Sequence, residues 1–148
     1  MQQPPYRFID HTADIGITVY GESLEQLFIN AARGMVALMI NGPAPVTRTR
    51  KHTIHCAAVD KEMLLTDWLQ ELLYRFYDKH LIPGTYGTCT ITPSDNNTQT
   101  VQLVATLSMS SVNPDTIKPV QEIKAVTHHN LSIEQKDRYV TATIIFDV

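Results

Sequence analysis

Residues 60–76, DKEMLLTDWLQELLYRF, contain the clearest secondary-structure pattern in the chain. Their apolar residues recur at helical spacing, which predicts a helix with one buried stripe. The stripe consists of Leu65, Trp68, Leu69, Leu72, Leu73 and Phe76. Asp60 is a favourable N-cap, because its carboxylate accepts hydrogen bonds from free amides at a helix start. Leu81–Gly84 contains Pro83 and is expected to close this helix.

A second amphipathic helix is predicted upstream. Ser23 is a good N-cap, and Gln26 three residues later completes the pattern of a capping box. The apolar residues that follow share one face of the helix. They are Leu24, Leu27, Phe28, Ala31, Met35, Leu38 and Met39. Asn41–Pro43 is expected to end this helix, since Pro cannot continue it.

The rest of the chain is typical of strands. The predicted strands are Tyr6–Ile9, Asp14–Tyr20, Val46–Val59, Tyr86–Thr92, Gln99–Leu107, Glu122–Glu134 and Arg138–Val148. Turn residues between them predict two hairpins, and Ser110–Pro119 is expected to be a polar loop. Because strands and helices do not strictly alternate, we expect an α+β fold. It would have a mainly antiparallel sheet, or sheets, of about six or seven strands with two helices packed on one side. A length of 148 residues suits a single domain over residues 1–148.

Composition narrows the class of protein. The formal net charge of −3 argues against a protein whose main task is to grip phosphate backbones. Cys56 and Cys89 are too few for a secreted disulfide scaffold, and we expect buried free thiols. No apolar run approaches the roughly 20 residues that span a bilayer, and the N-terminus lacks the pattern of a signal peptide. These features predict a cytoplasmic protein with no membrane partner.

The densest polar cluster is Asp10-His11-Thr12-Ala13-Asp14, between two predicted strands. Such a segment forms either a turn, in which Asp10 bonds nearby amides, or part of a site. Asp147 places its carboxylate beside the main-chain carboxylate of Val148, and adjacent anions repel. A divalent cation with oxygen ligands, Ca²⁺ or Mg²⁺, would relieve this repulsion, and Asp14 would supply a third carboxylate. A frayed, solvated tail is the alternative.

His128-His129, which follows Lys124, is the other candidate site. Adjacent residues of a strand point to opposite faces, so we expect one imidazole to be buried and one exposed. Nucleophilic catalysis has little support, since the chain has no GxSxG elbow and no glycine-rich loop before a helix.

Four blocks of the sequence together resemble one known family. Asp10–Ile17, Trp68–Tyr74, Glu122–His129 and Phe146–Val148 look like the motifs of archease, in the family's order and spacing. The resemblance implies an α+β fold and a role beside the RtcB-type RNA ligase of tRNA splicing. Such a protein would not be an enzyme. It would promote guanylylation and multiple turnover of the ligase, and would meet tRNA indirectly through it.

The resemblance also assigns residues. It carries the family's metal ligands onto Asp14, Asp147 and the terminal carboxylate of Val148, with Ca²⁺ as the expected ion and Mn²⁺ or Mg²⁺ as alternatives. Lys124 and His129 match further motif positions, while His128 departs from the Tyr that is common there. Asp10 and His11 would belong to the same functional surface.

Two other functions remain open at this stage. The first is a metal-dependent hydrolase that uses Asp14, Asp147 and His11. The second is a general chaperone or a direct RNA-binding module, although the chain lacks strong basic or stacking clusters.

Overall fold

A computed structural model describes residues 3–10, 15–40, 48–94, 99–113, 115, 117 and 119–148, with the side chain of Asp10 outside the described groups. In these residues it has eight strands and two helices, which confirms the α+β class with a slightly higher strand count. The elements are β1 Tyr6–Asp10, β2 Ile15–Gly21, α1 Leu24–Met39, β3 Thr49–Ala58, α2 Lys61–Lys79, β4 Leu81–Pro93, β5 Val101–Ser111, β6 Ala125–Val126, β7 Glu134–Gln135 and β8 Val140–Asp147.

The strands form two antiparallel sheets. The five-stranded sheet has the order β1-β2-β8-β6, and β7 pairs with β8 as well. Its centre is the β2–β8 pair, which runs in regular register from Ile15 opposite Phe146 to Gly21 opposite Val140. The three-stranded sheet has the order β3-β5-β4. Two separate sheets therefore take the place of a single large one.

The two helices form a layer that contacts both sheets. α1 packs against β1, β2 and β8 of one sheet and β4 of the other, while α2 packs against β3, β4 and β5 and also against β6. All six apolar residues of the predicted α2 stripe are buried. Trp68 is fully buried and donates a hydrogen bond from Nε1 to the carbonyl oxygen of Phe28, at 2.9 Å, which ties α2 to α1. Each sheet thus has helices on one face, as expected.

Both predicted helix starts are confirmed. Ser23 Oγ accepts a hydrogen bond from the Gln26 amide at 3.1 Å, and Asp60 Oδ1 accepts one from the Met63 amide at 2.8 Å. The Gln26 side chain does not return to Ser23 as a full capping box would require. Its Nε2 donates instead to Asn30 Oδ1, at 3.0 Å.

One glycine allows the five-stranded sheet to approach α1 closely. A Cβ atom on Gly34 would lie 2.9 Å from Ile17 Cδ1 and 3.1 Å from Tyr6 Cγ. Both distances are shorter than ordinary carbon contacts of about 3.5–4.0 Å. The missing side chain therefore makes room for β1 and β2 against the helix.

Three predicted boundaries are wrong. β4 begins at Leu81 rather than at Tyr86, because α2 ends at Lys79, directly before Leu81–Gly84, with His80 as a left-handed cap at φ 55°. β5 continues to Ser111, so Ser110 lies in a strand rather than in the predicted loop. The strand predicted over Glu122–Glu134 is also wrong, since only Ala125–Val126 and Glu134–Gln135 pair.

In the part of the chain that the structure describes, neither helix has the length and apolar character needed to cross a membrane.

Candidate functional site

The last residues of β8 occupy a fixed position at one end of the five-stranded sheet. Phe146 pairs with Ile15 on one side and with Val126 on the other, and Asp147 pairs with Ala125. The Lys124 amide donates to the carbonyl oxygen of Asp147 at 2.7 Å. The backbone around Asp147 is therefore held by hydrogen bonds rather than frayed, up to the next-to-last residue.

The Asp147 side chain is exposed and forms no ion pair with any residue that the structure describes. Val148 is half-buried and packs against the hydrophobic core, so the chain end is anchored by its side chain. Free carboxylate oxygens on an anchored backbone suit a hard divalent cation, which prefers oxygen ligands. The donor chemistry of this end of the sheet thus fits the predicted ion.

Three members of the predicted site lie outside the described residues or groups. His11 and Asp14 fall between Asp10 and Ile15, and the Asp10 side chain is likewise not described. Among the described residues, no three His, Cys, Asp or Glu side chains come together as a metal site. The complete ligand set therefore stays a prediction.

The segment from Ile123 to Ile133 carries Lys124 and His129 and has little regular structure of its own. Side chains of α2 hold it instead. The Tyr77 hydroxyl accepts a hydrogen bond from the Ile123 amide at 3.1 Å. Gln70 Oε1 accepts one from the Val126 amide at 3.1 Å. Glu62 Oε2 accepts one from the Ile133 amide at 3.0 Å.

These α2 residues were not identified from the sequence. Glu62, Gln70 and Tyr77 are spaced by eight and seven residues, so they share one face of the helix. This spacing of polar side chains was the available signal, although it does not reveal which segment they hold.

The two histidines do not divide between core and solvent. His128 and His129 are both exposed, which contradicts the expected one-in, one-out arrangement. The strand ends at Val126, and the Leu131 amide donates to the His128 carbonyl oxygen at 3.2 Å in a turn. Asn130 adopts a left-handed backbone with φ 57°, which breaks strand alternation.

Lys124 and His129 remain separate from Asp147 as far as side-chain contacts are concerned. Both are exposed, and no hydrogen bond or ion pair among the described residues joins either side chain to that carboxylate. The structure joins the backbones of Lys124 and Asp147 by a hydrogen bond, and no hydrogen bond among the described residues joins His129 to either.

The two thiols are free and half-buried. Burial raises the pKa of Cys56 to about 11, with smaller contributions from Glu71 and Asp67, and raises the pKa of Cys89 to about 11. Both are protonated at neutral pH. Because the thiolate is the reactive form, neither thiol is an activated nucleophile.

Comparison with known proteins decides the family. The model of the Archease protein family (MTH1598/TM1083) matches residues 6–148. The chain belongs to the archease family. Archease of Archaeoglobus fulgidus is 32% identical over 143 residues, covering 97% of this chain and 98% of that protein. Archease of Methanosarcina mazei is 30% identical over 147 residues, covering 99% and 98%.

Solved structures agree with the archease fold. The solution structure of Methanobacterium thermoautotrophicum protein 1598 is similar with a TM-score of 0.76 and 29% identity, covering 97% of this chain and 99% of that one. An archease from Thermotoga maritima, described as a "possible chaperone", has a TM-score of 0.57 at 23% identity, covering 100% and 98%. The latter likeness concerns the fold alone.

Proposed function

We propose that this archease is a cytoplasmic accessory protein of an RtcB-type RNA ligase in tRNA splicing. It binds a divalent metal ion, promotes guanylylation and multiple turnover of the ligase, and is not itself an enzyme. It meets tRNA through the ligase. The proposal rests on family membership and on one observation above all, which is the register that pairs Ile15 with Phe146 beside Asp147.

This register bears on the predicted ligand Asp14. Ile15, which pairs with Phe146, lies at the same end of the β2–β8 pair as Asp147, and Asp14 is its neighbour in the sequence. Asp14, Asp147 and the terminal carboxylate of Val148 would then supply oxygen donors from one end of one sheet. Ca²⁺ takes about six to eight oxygen ligands, so water or groups of the ligase complete the shell.

An accessory role fits the chemistry better than hydrolysis does. Guanylyl transfer depends on holding a phosphate anion in line and stabilising its charge, and a bound divalent ion supplies charge stabilisation. The exposed Asp147 can present its carboxylate to a partner, and the backbone amide of exposed Lys124 donates to the Asp147 carbonyl oxygen. The described residues offer no activated thiol, so a hydrolase would have to rely on the metal ion with Asp14, Asp147 and His11 alone.

A ligation assay tests the proposal. The protein is added below molar equivalence to its cognate ligase, with GTP, a divalent metal and cleaved tRNA halves. We expect the number of turnovers per ligase to rise, while the protein alone neither cleaves nor joins RNA. If turnover is unchanged, the accessory role is wrong. Equal stimulation of unrelated enzymes would favour the general chaperone.

A C-terminal extension tests the terminal carboxylate. A few residues appended after Val148 move the main-chain carboxylate away from Asp147, so we expect weaker Ca²⁺ or Mn²⁺ binding and less stimulation of the ligase. The matched control carries the same residues at the N-terminus. Unchanged metal affinity in the C-terminally extended protein would remove Val148 from the ligand set and leave Asp14 and Asp147 in it.

A further inference from the structure

A cavity of about 500 Å³ opens at the end of the β2–β8 pair opposite Asp147. Its lining includes Tyr20, Asn30, Arg33, Arg138 and Tyr139, and we call it the arginine pocket. The β2–β8 register advances six residues from Ile15 to Gly21, which separates the two ends by about 20 Å at roughly 3.3 Å per residue. The arginine pocket is therefore distinct from the candidate metal site.

The floor of the arginine pocket is a buried, fully engaged amide. Asn30 is only 6% exposed, and its Nδ2 donates to the Tyr20 carbonyl oxygen at 2.7 Å. Its Oδ1 accepts from Gln26 Nε2 at 3.0 Å and from Arg33 Nη1 at 3.3 Å. Burial of an amide with both ends hydrogen-bonded fixes its orientation, so this part of the pocket is preformed.

Among the residues that the structure describes, the guanidinium of Arg33 contacts only neutral groups. Besides Asn30 it contacts the ring of Tyr86, with Arg33 Cζ 5.3 Å from the ring centroid. No carboxylate among the described residues pairs with it. Since guanidinium has five N–H donors and one is directed at Asn30, the remaining donors are available to a ligand.

The opposite wall is the turn between β7 and β8. The ring of Tyr139 meets that of Tyr20 edge-on, with centroids 5.7 Å apart. The Tyr139 carbonyl oxygen accepts from the Lys136 amide at 2.8 Å, which closes the turn that carries Arg138. Arg138 has no ion-pair partner among the described residues either.

The charge of the lining indicates the ligand. Among the described lining residues, two arginines without an ion-pair partner outnumber one acidic residue, Glu22, which leaves a net positive charge. Guanidinium groups bind carboxylate and phosphate with charge-assisted hydrogen bonds. Glu22 and the side-chain oxygen of Gln26 add acceptors that suit hydroxyl donors. The volume also lies in the range of small-molecule sites, about 300–1,000 Å³.

From this arrangement we infer that the arginine pocket binds a small hydroxyl-bearing molecule with one oxyanion group, either a phosphate or a carboxylate. Arg33 and Arg138 hold the oxyanion, and Glu22 with Gln26 accepts hydrogen bonds from the hydroxyl groups. The inference does not depend on the ligase or on the metal site.

Three matched probes test it by NMR titration of the intact protein at low salt. Glycerol 3-phosphate and glycerate carry an oxyanion and hydroxyls, while glycerol carries the hydroxyls alone. We expect at least one charged probe to shift the amide signals of Gln26, Asn30 and Tyr139 with saturation, and glycerol to shift none. The charged probe that binds more tightly identifies phosphate or carboxylate as the source of the oxyanion. Failure of both charged probes to saturate these signals would overturn the inference.

Matched arginine variants locate the binding. Arg138→Ala and Arg33→Ala should each weaken the bound probe about tenfold or more, since a hydrogen bond to a charged group contributes roughly 1.5–3 kcal/mol. Arg50→Ala removes an exposed arginine from the other sheet and should leave the affinity unchanged. An equal loss in Arg50→Ala would indicate general charge attraction and overturn the inference. Because Arg33 also contacts the floor, Arg33→Lys keeps the charge and should retain more affinity than Arg33→Ala.

Discussion

The two sheets pack against the same helices but differ in the length of their strands. β3, β4 and β5 are ten, thirteen and eleven residues long, and the facing residues of the three-stranded sheet supply core side chains such as Ile54 and Leu103. In the five-stranded sheet, β6 and β7 are two residues each, and they pair with opposite ends of β8. Polar groups available to ligands collect at those two ends. The long strands provide a scaffold here, and the short ones leave room for sites.

The largest effect is expected from the helical layer that both sheets share. Trp68→Ala removes a fully buried indole and its hydrogen bond to Phe28. We expect a loss of about 3–5 kcal/mol in the free energy of unfolding, measured by chemical denaturation. Amide hydrogen exchange should show both sheets losing protection together. A loss below about 1 kcal/mol, or loss confined to the three-stranded sheet, would contradict a shared core.

The next largest effect is expected on metal affinity, without a matching loss of stability, at the C-terminal end of β8. Asp147→Ala should lower Ca²⁺ or Mn²⁺ affinity at least about tenfold, since even indirect supports of a metal site typically contribute that much. Because Asp147 is exposed, the free energy of unfolding should change by less than about 0.5 kcal/mol.

Asp78→Ala provides the control for Asp147→Ala, because Asp78 is an exposed carboxylate on α2. It should leave metal affinity and ligase stimulation unchanged. If Asp147→Ala stimulates the ligase fully, the carboxylate is not a functional ligand and the difference between the two sheets loses its main support.

The N-caps of α1 and α2 should contribute similarly to the free energy of unfolding. Ser23 caps α1 after β2, and Asp60 caps α2 after β3. Ser23→Ala and Asp60→Ala each remove the acceptor of one amide hydrogen bond. We expect each to reduce the free energy of unfolding by about 1 kcal/mol. Ser23→Asp and Asp60→Asn keep an acceptor and should recover most of the loss in thermal denaturation. A much larger cost at one cap would show that the helices do not support both sheets equally.

The smallest effect concerns alkaline pH and the three-stranded sheet. Cys56 and Cys89 have their pKa raised from 9.0 to about 11 by burial, so the unfolded chain releases their protons first. Their contribution to stability is complete below pH 9 and is lost as the pH rises to about 11. Partial exposure limits it to less than about 1 kcal/mol per thiol.

The double variant Cys56→Ala with Cys89→Ala should therefore show a shallower decline of the melting temperature between pH 9 and 11 than the natural chain. Below pH 9 the two proteins should follow parallel curves. Identical slopes above pH 9 would mean that the thiols are not shielded in the folded protein.

Local signals predicted the helices and their starts. Ser23 and Asp60 cap amides only three residues away, and the α2 stripe follows from helical period alone. The irregular segment around Lys124 could not be predicted in this way. Its backbone bonds go to Gln70 and Tyr77, more than forty residues earlier, so its shape depends on packing that no local pattern records.

The two candidate sites also differ in whether a local sequence pattern predicts them. Asp147 is predicted from two neighbouring carboxylates, which are unusual at the end of an apolar strand. The structure shows its backbone at the end of a paired strand, and its role as a ligand stays a prediction. The arginine pocket went unnoticed because Arg33 and Arg138 lie more than a hundred residues apart. The β2–β8 pairing and the packing of α1 against β2 bring them to one cavity.

Gly34 has a consequence for how this sequence can diverge. Alanine favours a helix interior over glycine by about 1 kcal/mol, yet a Cβ at position 34 meets Tyr6 and Ile17 at 2.9–3.1 Å. Residue 34 is therefore coupled to positions 6 and 17, and substitutions there are not additive. A library that varies 34 and 6 together should yield stable pairs whose single members are destabilised, with a smaller residue at 6 beside a larger one at 34. A larger residue at position 34 of α1 is therefore expected to become acceptable only together with a smaller one at position 6 of β1.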